Sequence, residues 1–124
     1  MRSDCAPVDV SLALQKLSRV IGFFSDQSRW YQGGWSKQSQ HCALNYILTL
    51  RGDALELLEH PILRTAEVVT GRRFKDIPDF NDSVSYTTFM EVLWATRKYF
   101  VEVRNARRRT APVHQRELEL PLAA

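Results

Sequence analysis

Few residues in this chain are of a type that does covalent or acid–base work, and they fall in two places. Cys42 follows His41 at a predicted helix start, and Asn81-Asp82 lies further along. A thiol at a helix N-terminus ionises more readily, because the helix dipole favours the thiolate. With a histidine as base and Asn81 or Asp82 to orient it, the set would be a Cys-His-Asn arrangement for nucleophilic attack. Helical geometry opposes this. Neighbouring residues on a helix point about 100° apart, which turns His41 away from Cys42. His60 and His114 are the other histidines. The competing reading makes Cys42 a small buried residue opening a core helix. Asn81 and Asp82 then hold turns by bonding nearby backbone. We expect no catalytic residue, with an enzyme centred on Cys42 as the outlying alternative.

Metal and phosphate chemistry is thinner still. Asp76, Asp79 and Asp82 are spaced by three, but Pro78 and the apolar neighbours do not make a calcium loop. No Gly-rich loop followed by Lys is present to cradle phosphates, and Gly33-Gly34 is only a turn signal. Neither a metal nor a cofactor is expected.

Two surfaces read as binding rather than reacting. Arg97, Lys98, Arg104, Arg107, Arg108, Arg109 and Arg116 crowd the last quarter of a chain whose net charge is only +3. Arg97, Arg104, Arg107, Arg108 and Arg109 could meet phosphates of a nucleic acid or an acidic protein surface. Their other explanation is local: cations near a helix C-terminus are favoured by its dipole.

The second surface is the tail Glu117-Leu118-Glu119-Leu120-Pro121-Leu122. It resembles the hexapeptide with which bacterial proteins dock on the DNA sliding clamp, whose usual form is Gln-Leu-(Ser/Asp)-Leu-Pro-Leu. Pro121 keeps its neighbour out of helix. Leu118, Leu120 and Leu122 would present apolar anchors to a groove. Glu117 departs from the pattern. The resemblance wants Gln, whose amide both donates and accepts, whereas an ionised Glu only accepts. The alternatives are that the leucines pack back on the domain or form a free end.

The elements that carry these residues follow from periodicity. Val10, Leu14, Leu17, Val20, Ile21 and Phe24 share one face of a helix over 8–24, with Asp4 or Asp9 as cap. Residues 25–40 read as a Trp-rich loop folded over the core. Helix two runs from near His41 to Leu50 with Leu44, Ile47 and Leu48 inward. Asp53 would cap a short turn through Leu55 and Leu58, and His60-Pro61 would break the chain again. A third helix covers 62–70, closed by Gly71. Residues 72–85 read as irregular. Thr88 and Glu91 form a predicted capping box for a helix reaching about Arg108, with Phe89, Val92, Leu93, Thr96, Phe100 and Val103 at helical spacing. Thr110-Ala-Pro112 stops it.

Four landmarks stand in order along this framework: Trp30-x-Gln32-Gly33, Cys42-Ala43-Leu44, Phe80-Asn81-Asp82 and Thr88-x-x-Glu91-Val92. Together they resemble a small domain family of bacteria and their phages whose function is unassigned. In that family a Trp-x-x-Gly loop leads to a Cys-x-Leu-Gly helix start. Here Asn45 stands where the family usually has Gly, and the loop from Asp82 to Thr88 is one residue longer. The resemblance implies a compact helical domain over roughly residues 10–100 and brings no activity with it.

Length and composition agree with a single core. The chain has 124 residues, 44% hydrophobic and 25% charged. We expect an all-α domain of about four helices over 1–110, with Trp30, Trp35 and Trp94 helping to close its core, and a tail over 111–124. Cys5 and Cys42 make no disulfide framework. The first residues lack the apolar stretch of a signal peptide, and Cys5 lacks a lipoprotein context. No apolar run approaches the roughly 20 residues of a membrane span. The expectation is a cytoplasmic, non-catalytic protein of bacterial or phage origin that acts by binding: an accessory or inhibitor, with the clamp as candidate partner.

Overall fold

Asp9 opens the first helix by accepting the Leu12 N–H at 2.9 Å, one of the donors every helix start leaves without an internal partner. The helix, α1 (Val10–Phe24), buries all six residues of the predicted stripe together with Ala13. The computed structural model describes residues 6–110. Among them are five α-helices, one 3-10 turn and a two-stranded hairpin, in a single mostly helical domain. The tail residues Glu117, Leu118, Leu120, Pro121 and Leu122 lie outside the described residues.

After α1, Asp26 starts the 3-10 turn Gln27–Arg29. Its pKa is lowered, first by the Ser28 hydroxyl, then by the Ser28 N–H, with a smaller push from Arg29. The Trp-rich segment then holds more order than a loop. Strands β1 (Ser36–Lys37) and β2 (Gln40–His41) pair antiparallel, Ser36 with His41 and Lys37 with Gln40. Two residues per strand is too short to leave an alternating hydrophobic pattern in the sequence.

Helix α2 (Ala43–Thr49) buries Ala43 and Ile47, while Leu48 is exposed. Of the predicted stripe Ile47 is buried and Leu44 packs half-buried against the core, while Ala43 takes the inward place expected of Leu48: at 100° per residue the buried arc is centred on Ala43 and Ile47, and Leu48 turns out of it. Helix α3 (Ala54–Thr70) runs without a break through Pro61. Proline inside a helix costs roughly 3 kcal/mol. Here Ala54, Leu58, Pro61, Ile62, Thr65 and Ala66 bury one continuous stripe on both sides of it, and that burial outweighs the lost bond. Asp53 precedes the helix in a left-handed conformation and makes no side-chain cap bond, unlike the capping role expected of it. Gly71, at φ 73°, closes α3 with its N–H on Glu67 O.

The segment read as irregular contains α4 (Ile77–Ser83). Asp76 accepts the Asp79 N–H at 2.9 Å, and Pro78 sits in the first turn, where its missing N–H costs nothing. Helix α5 (Tyr86–Thr110) starts before the predicted capping box. Ser85 accepts the Thr88 N–H at 3.1 Å, so Thr88 is the third residue of the helix and not its cap. The same hydroxyl-to-backbone geometry was available one turn earlier, where it also buries Phe89 and half-buries Tyr86.

The long α5 packs on α1 and α3. It runs antiparallel to α1. The Tyr86 hydroxyl donates to Phe24 O at one end, and Arg107 donates to Pro7 O and Val8 O at the other. Phe24, Phe80, Phe89 and Phe100 are fully buried between the helices, each worth about 2 kcal/mol of transfer from water. Trp30 packs on this core. Trp35 and Trp94 do not close it as expected: each leaves about half its surface in water.

Candidate functional site

Asn81 is buried completely in α4, and both ends of its amide are occupied. Its Oδ1 accepts the Trp30 indole N–H at 2.8 Å and the Ala43 N–H at 2.9 Å. Its Nδ2 donates to Tyr31 O at 2.9 Å and to Asp82 Oδ1 at 3.0 Å. Asp82 also accepts the Gly33 N–H at 2.9 Å, from a glycine at φ 81° that a side chain would strain. Gln32 Nε2 donates to Asn81 O and Val84 O. Trp30 stacks on Phe89, which stacks in turn on Phe80. The first three sequence landmarks therefore meet at one junction, where the Trp-rich loop is fastened to α2 and α4, and α5 joins it through Phe89, which lies between the landmark residues Thr88 and Glu91. Its chemistry is that of a fully paired polar network. Asp76, Asp79 and Asp82 each accept a backbone N–H, from Asp79, Lys75 and Gly33. Among the described residues no group of three or more His, Cys, Asp or Glu is arranged to hold a metal ion.

Cys42 sits beside this junction, 3% exposed. Its Sγ accepts the Asn45 N–H at 3.4 Å, its own N–H donates to Trp35 O, and its carbonyl accepts the Tyr46 N–H. It is the N-cap of α2. His41 Nδ1 pairs instead with Asn45 Oδ1, and its ring meets the edge of Phe23. Asn45 thus serves both residues, through its backbone and its side chain. We expect the Cys42 thiol, in a Cys5→Ser chain, to react with a disulfide reagent at least about a hundredfold more slowly than free cysteine and at the rate of global unfolding. Stopped-flow absorbance with and without denaturant measures this, and fast labelling of the native chain would contradict it.

The basic residues of α5 divide into different settings. Arg107 is occupied by the two carbonyls ahead of α1. Arg97, half-buried, lies over the Trp94 ring with 5.9 Å to the centroid. Arg104 is half-buried, with its Nε sealed from water and without an acceptor among the described residues. Arg108 is half-buried and Arg109 exposed. At 100° per residue, Arg97, Arg104 and Arg108 share a stripe with Val101, Trp94, Met90 and Tyr86. Sequence reading picked out the arginines and missed the apolar half of that stripe, although the spacing of four between Tyr86, Met90 and Trp94 carries it. At its far end Ser25, Tyr86, Thr87, Met90, Glu91 and Trp94 line a shallow depression of about 590 Å³. A second hollow, of about 460 Å³, separates the chain before α1 from the start of α3, with Asp53, Glu56 and His60 on its wall.

Comparison with known protein families, curated proteins and solved structures found no match. No helix among the described residues is long and apolar enough to cross a membrane.

Proposed function

We propose that this protein is a non-catalytic binding module of bacterial or phage origin, an accessory or inhibitory protein working in the cytoplasm by contact with another protein. The observation that carries the reading is the division of labour between its residues. The thiol and the buried amide are occupied in holding the fold. The outward stripe of α5 presents a half-exposed Trp94 with Arg97 across it, a combination typical of contact surfaces. That helix leads directly into the leucine tail. The origin rests on the landmark pattern alone.

In its specific form the proposal has the tail dock on the DNA sliding clamp, bringing the domain to replicating DNA. Leu118, Leu120 and Leu122 would fill the apolar groove and Pro121 would keep the peptide extended. Glu117→Gln is expected to tighten binding about fivefold, the ~1 kcal/mol of one recovered hydrogen bond. Titration of labelled full-length chain with clamp measures it, and equal or weaker affinity would count against the register. A peptide of residues 113–124 should bind as well, and Leu120→Ala should abolish binding in both.

The second reading is nucleic-acid binding through Arg97, Arg104 and Arg108, favoured by their shared stripe. Arg107, with its two carbonyl partners, has less to give. Here affinity for DNA or RNA should fall steeply with salt. Salt-insensitive or absent retention by nucleic acid would dismiss it.

A further inference from the structure

Thr87, Met90, Trp94, Arg97, Val101 and Arg104 follow one another along α5 at alternating steps of three and four. That spacing lines up the seam between two packed helices. The helix already buries its opposite face, with Phe89, Val92, Thr96 and Phe100, inside the domain. We infer that the outward seam is covered by the same seam of a second copy of this chain. The two α5 helices run antiparallel about a twofold axis at the level of Ala95 and Thr96. The inference rests on reading this stripe as a contact surface, names its occupant, and does not involve the tail.

The seam is complementary to itself. With Trp94 level with Arg97 of the second copy, Met90 is level with Val101 and Thr87 with Arg104, and symmetry makes each pairing twice. Apolar side chains then meet each other, and a flat guanidinium meets an indole face. Arg97 already turns toward the Trp94 ring of its own helix, which places its guanidinium at the seam. Trp94 is 53% exposed. It borders the depression lined by Tyr86, Thr87 and Met90, where Val101 of the second copy comes to lie.

The flanking charges agree with this register. Glu91 and Lys98 are exposed, and each directly follows a seam residue, Met90 and Arg97. On antiparallel helices such flanking positions face each other, so Glu91 lies between the same two layers as Lys98 of the second copy. Two such pairs form. Among the described residues Glu91, Arg97 and Lys98 make no ion pair within the chain. Parallel packing fails the same comparison, because it sets Arg97 on Arg97 and Arg104 on Arg104, like charges at close range. A wholly acidic partner helix would suit the arginines and repel Glu91. The fitting occupant carries a cation seven residues after an acid along its seam, as this chain does.

The test is sedimentation equilibrium of the full-length chain with Cys5→Ser. It should show a monomer–dimer equilibrium with a Kd of about 10–100 µM, as for a short and partly polar contact. Glu91→Lys and Lys98→Glu should each weaken self-association at least about tenfold, because both flanking pairs become repulsive. An equimolar mixture of these two variants should dimerise again, since opposite charges then face each other at both pairs. Trp94→Ala, which removes the central anchor, should weaken it at least about thirtyfold. All three positions are exposed, so the unfolding midpoint of each variant should stay near that of the parent. A chain that remains monomeric up to about 1 mM would overturn the inference. So would a dimer indifferent to the charge variants, or a mixture no more associated than its components. No clamp is present in these measurements. A strictly monomeric chain leaves clamp docking standing, and a clamp that fails to bind leaves the dimer standing.

Discussion

Asn81→Ala is expected to destabilise the protein by about 4 kcal/mol, read as a lower midpoint in denaturant titration. The side chain removed is fully buried, and its loss takes the partner from three groups: the buried Ala43 N–H and, in half-buried settings, the Trp30 indole N–H and the Tyr31 carbonyl. Each unpaired buried group costs roughly 1–3 kcal/mol. The Ala43 N–H depends most on Asn81, since it is a first-turn donor of α2 and the Cys42 cap is bonded to the Asn45 N–H instead. Part of the cost has an internal check. Trp30→Phe removes the indole donor, so the double variant should lose about 1–2 kcal/mol less than the two single losses added together. Strict additivity would mean that the Trp30–Asn81 bond contributes nothing, and a loss below about 1 kcal/mol for Asn81→Ala would remove the junction from the account.

Phe89→Ala is the second large effect, expected at about 4 kcal/mol. Phe89 is fully buried. Its ring is stacked against Trp30 and Phe80 and meets the edge of Phe24. Those three partners come from the Trp-rich loop, α4 and α1, so truncation opens a void where three elements meet. Phe89→Leu keeps most of the volume and should cost about half as much. A similar loss for both would show that ring contact, and not filled volume, dominates. Thermal unfolding followed by circular dichroism separates the two outcomes. Fluorescence adds a signature, because Trp30 is half-buried against this ring and should shift toward the emission of exposed tryptophan in Phe89→Ala and not in Phe89→Leu.

These two residues explain why the most visible pattern in the sequence says little about activity. Trp30, Gln32, Gly33, Ala43, Asn81 and Asp82 stand far apart in the chain and meet through hydrogen bonds. Residue types that could orient a catalytic base serve here to close buried donors and acceptors.

Much of the fold was legible. The stripe of α1 and the inward face of α5 follow from spacing alone, because both are long and one-sided. Pro61 misled because local rules price a proline without knowing how much apolar surface lies on either side of it. Helix α4 was missed because Asp76 and Pro78 look like loop residues when they are a cap and a first-turn proline. That distinction depends on which backbone donors are free, and composition does not record it. The ends of α2 shifted for the same reason. Cys42 is an uncommon cap, and the short hairpin ahead of it has too few residues to show a pattern. For the candidate site, the charges on α5 were legible. The exposure of Trp94 was not, since an aromatic at helical spacing reads equally well as core.

The reading that the protein acts by contact, through its tail, is tested most directly by titrating the folded full-length chain with bacterial sliding clamp and repeating the titration with Leu120→Ala. The account predicts saturable binding in the micromolar range that Leu120→Ala abolishes while leaving the unfolding midpoint unchanged. No binding up to high micromolar clamp, or equal binding by both chains, would contradict it.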